Sequence, residues 1–278
     1  MTGALLLPFL SSLRLSPALI AADAAEAPFA ALEKQAGARI GVAALDTGSG
    51  KRIAWRANER FGMCSTFKLS LAAAILAKAD KGTVRLDRLV PYGADMPIGV
   101  SPVTRKNLSH GMTIMELCEA AVVYSDNGAA NLLLAVLGGP QAMTAYWRSI
   151  DDSVTRLDDI ELKLNIPDGE RNTTTPSAMR GNLNTLLLGE VLSPASRDRL
   201  LGWMRASTTG INRLRAGLPP AWLWGDKTGT NDSRYGAVND IGIAMPPGRK
   251  PILIAAYAEH ANEKVLAEAG AIIAKAFA

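Results

Sequence analysis

The hydrophobic pattern of this chain changes period twice, and that change is the strongest constraint on its fold. Near the start, "RIGVAALD" (39–46) and "KRIAWRA" (51–57) read as strands joined by "TGSG", a hairpin signal. After residue 220, "WLWGDKTGT", "GAVNDIGIAM" and "PILIAAYAEH" read as three more strands. From residue 63 to about 210 the pattern is helix and loop. Strands need neighbours for their backbone N–H and C=O groups, and the economical arrangement is one sheet made from both ends of the chain. The expected fold is α+β and sandwich-like: a five-stranded antiparallel sheet with terminal helices (28–37 and 262–277) packed on it, plus an inserted all-α lobe. The expected division is a discontinuous α/β lobe, 26–60 and 212–278, and a helical lobe, 61–211. A cleft between two lobes is the natural place for a site.

Helices are expected over 65–80, 114–124, 127–137, 140–150, 177–189 and 195–206. Thr113 and Glu116 make a capping-box pattern before "LCEAAVV", and Gly138-Gly139-Pro140 stops one helix and restarts another.

Composition removes several function classes. The chain has 278 residues and net charge +4, with its basic residues scattered and aromatics at 5%. Nucleic-acid binding calls for a basic stripe with stacking residues, and none is present. Two cysteines, Cys64 and Cys118, and two histidines, His110 and His260, are too few and too dispersed for a structural metal cluster. A Ser-His-Asp triad would have to use one of those histidines, and neither sits in a catalytic-looking context. No cofactor is expected. Residues 1–25, with an apolar run and an Ala-rich exit suited to cleavage near Ala21 to Ala25, read as an export leader despite Arg14 in the apolar core. No later run is long and charge-free enough to span a bilayer.

The chemistry starts in "MCSTFKLSLAAAILAKADKG" (63–82), where Ser65 opens a helix and Lys68 lies one turn in. Residues three apart share a helix face, so the hydroxyl and the amine are within reach. A serine hydroxyl is a weak nucleophile until a base takes its proton, and a desolvated lysine is one such base. S-x-x-K alone is common. "YSDNGAANLLL" adds Ser125-Asp126-Asn127 at a helix start, where the plain reading is an N-cap. "WGDKTGT" adds Lys227-Thr228-Gly229 in a strand, where a bare glycine admits a ligand against the backbone.

These three motifs, in this order, resemble the serine penicillin-recognising enzymes, and most closely the class A β-lactamases. The resemblance runs from about residue 28 to the end. A fourth element narrows it: "RLDDIELKLN" followed by "ERNTTTP" is similar to the omega loop of that class, here 156–175, with Glu161 and Asn165 at the positions of its glutamate and asparagine. What the resemblance implies is hydrolysis of the β-lactam amide of penicillins and cephalosporins through a serine acyl-enzyme, giving antibiotic resistance. Ser65 is the implied nucleophile. Its proton goes to Lys68 or, through water, to Glu161. Ser125 passes a proton to the leaving nitrogen between Lys68 and Lys227. Backbone N–H groups of Ser65 and Thr230 form the implied oxyanion hole, each worth about 3 kcal/mol. Glu161 with Asn165 activates the deacylating water. Asn127 holds the substrate side-chain amide. Lys227, Thr228, Gly229, Thr230 and Arg213 seat its carboxylate, arginine matching that group's geometry. With the leader, a periplasmic or secreted location is expected; the expected partner is the β-lactam substrate, with no nucleic acid and no stable membrane anchor, and nothing in the sequence suggests more than a monomer. A DD-peptidase or a β-lactam sensor would share the three motifs but lack the deacylating glutamate.

The chain departs from the family pattern at the omega loop. The arginine–aspartate pair that commonly closes its neck falls at Asp159 and Asn172. This predicts an Asp–Asn hydrogen bond without a charge pair, and a loop held differently or more mobile. The loop is about two residues short, and the proline usual after the glutamate is Leu162. The aromatic often found at the rim falls at Val100. The usual disulfide partners of Cys64 and Cys118 fall at Asn231 and Ala72, so two free thiols are expected.

Overall fold

The computed structural model describes residues 17–166, 168–231 and 235–278. Most of the expected leader lies outside the described residues. The first helix, α1 (Pro17–Ala36), continues upstream of Pro28, where the sequence reading starts it. A proline marks a first helical turn more often than an interior one, which explains the difference.

Strands β1 (Arg39–Asp46) and β2 (Arg52–Trp55) form the expected hairpin. The chain then passes through a short strand β3 (Phe61–Gly62) into α2 (Phe67–Asp80). Two-residue strands β4 (Leu89–Val90) and β5 (Met112–Thr113) pair with each other before α3 (Ile114–Val123), α4 (Asn127–Leu137) and α5 (Pro140–Ser149). The capping box of Thr113 and Glu116 forms as expected. Strand β6 (Thr173–Thr174) pairs with β3 and ties the end of the omega loop to the segment entering α2. Helices α6 (Pro176–Leu187), α7 (Pro194–Arg205) and the short α8 (Leu214–Gly217) lead into β7 (Leu223–Thr230), β8 (Val238–Met245), β9 (Ile252–Glu259) and α9 (Glu263–Phe277).

The large sheet runs β2-β1-β9-β8-β7, antiparallel throughout. The ends of the chain meet at β1 and β9, in register from Arg39 opposite Glu259 to Asp46 opposite Ile252. One face packs on α1, α8 and α9 through Phe29, Val42, Leu214, Ile254, Ile273 and Phe277. The other face joins the helical core through Ile241, Ala255 and Tyr257. α2 is apolar on all sides and buried from Phe67 to Ala77, which makes it the central helix of that core. Lys68 is the one ionisable side chain in this buried run. β7 is the edge strand, and its rim lies beside the start of α2.

Candidate active site

Ser65 does not begin the α-helix. It sits in a tight 3₁₀ turn, Cys64–Thr66, just before α2, with Cys64 at φ +46°. The turn presses against β7. A Cβ on Gly229 would lie 2.7 Å from the Met63 carbonyl oxygen and 3.1 Å from Cys64 Cβ. The glycine therefore lets the strand approach the turn that carries Ser65, a use of the missing Cβ that the sequence did not reveal. Asn239 on β8 fixes the same turn by donating to the carbonyls of Gly62 and Met63.

Lys68 is wholly buried and donates to three acceptors: the Ser125 carbonyl at 2.8 Å, Asn127 Oδ1 at 2.6 Å and Glu161 Oε1 at 2.9 Å. Three donors are all an ammonium has. Ser65 is not among its partners. The serine hydroxyl instead donates to Glu161 Oε1 at 3.2 Å. The expected Ser65–Lys68 contact is thus replaced by a shared carboxylate. All three Lys68 protons go to other acceptors, so the serine and the lysine meet through Glu161 Oε1.

Ser125 adopts φ +57°, and its hydroxyl accepts from Lys227 Nζ at 2.9 Å. It therefore meets one lysine through its hydroxyl and the other through its backbone. Burial, then the nearby Lys68 charge, pushes the Lys227 amine well below its ordinary range. Asp126 is the N-cap read from the sequence. It accepts from Ala129 N and from the Thr104 backbone and hydroxyl, all within 2.9 Å, and so pins the loop carrying Val100 to α4.

Glu161 is placed from two sides. Asn131, one turn along α4 from Asn127, accepts from the Glu161 N–H and donates to its carbonyl, both at 3.0 Å. The peptide bond after Glu161 is cis. Asn165 Nδ2 donates to Glu161 Oε2 at 2.7 Å, while the buried Asn165 Oδ1 has no protein partner. A carboxylate oxygen beside an amide oxygen offers two acceptors, one for each proton of a single water. Asn131 was missed in the sequence, although its spacing of four from Asn127 puts both on one helix face.

The omega-loop neck corrects one expectation. Asn172 Nδ2 donates to Asp159 Oδ2 at 3.0 Å, as expected, but charge pairs are also present. Arg171 and Lys163 each pair with Asp159 at 2.8 Å, and Arg156 pairs with Asp158 at 2.5 Å. These contacts hold the Asp159 carboxyl well below the usual carboxylate range, Lys163 contributing most. The neck keeps its ion pair with the polarity reversed, because the cation comes from the residue next to the expected position. Across the mouth, Asn231 Nδ2 donates to the Asn165 carbonyl, so the end of β7 is bonded to the omega loop.

A cavity of about 600 Å³ opens on Ser65, with Ser125, Asn127, Arg213, Thr228 and Thr230 in its walls. Exposed Val100, Leu162 and Ile166 form an apolar rim. Arg213 is buried, not a surface residue. Its guanidinium donates to the carbonyls of Gly229 and Asn239 at 2.8 Å, to Thr230 Oγ1 at 2.7 Å and to Glu263 at 3.0 Å. Thr228 Oγ1 lies 2.6 Å from Thr209 Oγ1, a further wall residue the sequence did not single out. His110 and His260 are exposed and line no part of this cavity. Both thiols are free and buried, and burial pushes Cys64 up to about 12.

The Beta-lactamase enzyme family matches this chain over residues 24–277. The chain belongs to the class A serine β-lactamases. It is a hydrolase acting on β-lactams, the activity that underlies β-lactam resistance. Among similar class A enzymes is the carbapenem-hydrolyzing β-lactamase KPC of Klebsiella oxytoca, 47% identical over 85% of this chain and 81% of the relative. β-lactamase CTX-M-8 of Citrobacter amalonaticus is 41% identical over 93% of this chain and 91% of its own length. Among solved structures, an ancestral class A β-lactamase of Gram-negative bacteria is 53% identical with a TM-score of 0.88, covering 91% of this chain and all of that one (100%). No helix among the described residues of this β-lactamase is long and apolar enough to cross a membrane.

Proposed function

We propose that Ser65, Lys68, Ser125 and Glu161 are the catalytic residues, and that Asn127, Asn165, Arg213, Lys227, Thr228, Gly229 and Thr230 bind the substrate. The observation carrying this reading is the position of Glu161, which touches Ser65 Oγ, Lys68 Nζ and Asn165 Nδ2 at once. In acylation the Ser65 proton passes to Glu161 as the Oγ–C bond forms at the lactam carbonyl. Lys68, with its three protons engaged, is a cation that stabilises this carboxylate, so Glu161 takes the part of first base. The lactam C–N bond breaks, and the nitrogen receives the Ser125 proton. Lys227 resupplies Ser125 through its 2.9 Å contact, its lowered proton affinity favouring release. Before deacylation Glu161 gives up the Ser65 proton and Lys227 regains one by exchange with water in the open cavity, and Lys68, bonded to Glu161 Oε1, stabilises the carboxylate so restored. In deacylation a water between Glu161 and Asn165 Oδ1 loses a proton to Glu161 as its oxygen attacks the ester carbonyl; the C–Oγ bond then breaks and Glu161 returns that proton to Ser65 Oγ. Backbone N–H groups of Ser65 and Thr230 receive the oxyanion.

The substrate carboxylate lies against Thr228 and Thr230, with Arg213 behind them. In this reading residues 26–60 with 212–278, and 61–211, are two lobes meeting at the site. The enzyme acts as an exported, periplasmic or secreted monomer after removal of residues 1–25. Nitrocefin hydrolysis followed together with intact mass after mixing with a penicillin tests the mechanism. Turnover with a transient adduct is expected. A stable adduct without turnover would favour a sensor or peptidase, and no adduct would remove Ser65 from its role.

A further inference from the structure

β7 separates two environments. Lys227 and Gly229 face the nucleophile, while Asp226, Thr228 and Thr230 face the segment carrying Arg213. On that second face lies a pair of carboxyls the reaction scheme does not use. Thr228 is paired with Asp240 of β8, so Asp226, two residues along β7, is the diagonal neighbour of Asp240. Diagonal neighbours on one sheet face lie roughly 7–8 Å apart at Cα and somewhat closer at Cβ. Both residues are buried. Asp240 Oδ2 accepts the Leu214 N–H at 3.1 Å, but Asp240 Oδ1 has no protein partner. Asp226 Oδ2 has only a long contact, 3.4 Å, from the Ser207 hydroxyl. Gly210 presses on the same oxygen: a Cβ there would lie 2.0 Å from it.

The cations near the pair are Lys227 on β7, Arg213 before α8 and Arg215 on α8, and Glu263 of α9 occupies Arg213 Nε. These cations favour ionised carboxylates. Burial outweighs them and, in Asp240, so does the neighbouring Asp226: Asp226 is pushed up to about 6, and Asp240 well above its ordinary range. A buried anionic oxygen with no donor is unfavourable, and a proton held between two carboxyls supplies the donor.

We infer that Asp226 and Asp240 share one proton at neutral pH, leaving a single negative charge behind Arg213 and the carboxylate seat. They are positioning residues. With one charge, Arg213 keeps a net positive field toward Thr230 and the cavity. With two, that field is cancelled and the anionic substrate binds less well. The consequence for substrate rests on the site reading above; the shared proton does not.

Carboxyl NMR on the intact enzyme labelled with carbon-13 aspartate tests the proton directly. A protonated aspartate resonance at neutral pH, lost in Asp226→Asn or in Asp240→Asn, is expected. Two ionised carboxylates at these positions in the wild type would overturn the inference, even if neither variant folded. The pH profile supplies the second readout. KM for a penicillin should climb on the alkaline side in the wild type and lose that climb in Asp240→Asn, where the amide reproduces the donor. A climb that persists unchanged in Asp240→Asn would remove the pair from substrate positioning. The resonance needs no substrate and nitrocefin turnover tests the site reading, so the two fail separately.

Discussion

Removing the Asn172 side chain should open the omega loop. Asn172 is buried at φ +56° and makes three side-chain hydrogen bonds. Its Oδ1 accepts from the Asp158 and Asp159 N–H groups at 2.9 and 3.0 Å, and its Nδ2 donates to Asp159 at 3.0 Å. Its backbone carbonyl also accepts the Met63 N–H, two residues before Ser65. Each lost hydrogen bond costs about 1 kcal/mol net, and holding alanine in the left-handed region adds about 1 kcal/mol. Asn172→Ala is therefore expected to cost about 4 kcal/mol, a large fraction of a stability of about 5–15 kcal/mol. Urea denaturation followed by tryptophan fluorescence should show the midpoint falling by more than about 1 M for a slope near 3 kcal/mol/M.

The loop is able to open by itself, so part of the loss will appear as local unfolding and not in the global midpoint. Deacylation is the readout for that part. The acyl-enzyme seen by intact mass should persist longer in Asn172→Ala, because Glu161 and Asn165 ride on the released segment. Asn172→Gly keeps the left-handed backbone without strain and separates the hydrogen bonds from the conformation. A global cost under about 1 kcal/mol in Asn172→Ala together with unchanged deacylation would refute the argument.

Other substitutions probe the remaining parts. Ser65→Ala should abolish turnover, whereas Glu161→Ala should slow acylation and trap any acyl-enzyme that forms; full turnover in Glu161→Ala would show that the omega loop had been misassigned. Asn231→Ala, which cuts the bond from β7 to the Asn165 carbonyl, should lower kcat more than it raises KM, a split that steady-state kinetics reads. Opposite pH dependences are expected from two carboxyls. Asp159 is held below its ordinary 3.8, so its contribution is present above about pH 4 and lost as the medium becomes more acid. Asp226 is raised from 3.8 to about 6, so its contribution is complete below about pH 4 and lost as pH rises through 6. Thermal melts at pH 3, 5 and 8 of Asp159→Asn and Asp226→Asn against the wild type should show each variant losing its own limb.

The sheet and the helical lobe were legible because their periods differ, two residues against nearly four, over runs long enough to register. Two-residue ladders such as β3 with β6 carry no period, so the tie between the omega loop and the entry to α2 stayed hidden. The motif residues were found, but their contacts were read one step wrong. Three-residue spacing puts Ser65 and Lys68 on one face, but it cannot show that Ser125, Asn127 and Glu161, distant in sequence, take all three Lys68 protons. Asn131 escapes notice for another reason: helical spacing puts it on the Asn127 face, but nothing in the sequence says that its partner is the Glu161 peptide, 30 residues away. Asp226 and Asp240 carry no signal in the sequence, and only the ladder puts them on one face.

The neck of the omega loop shows what a family pattern constrains and what it leaves free. Read by position, Asp159 opposite Asn172 removes a charge pair and predicts a looser loop. In space the cation is recovered from Arg171, one residue away, and reinforced by Lys163 on the loop itself. Asn172 then takes the part that a carboxylate plays poorly, since its amide accepts two backbone N–H groups and still donates to Asp159. An aspartate there would face Asp158 and Asp159 with no proton to give. The reversed pair therefore requires the asparagine. Substituting Asn172→Asp alone should be worse than Asn172→Asp combined with Asp159→Arg, which restores opposite charges across the neck. A double-mutant cycle in which the second change brings no recovery would mean that the neck is held by Arg156 and Asp158 instead, and that Asp159 is incidental.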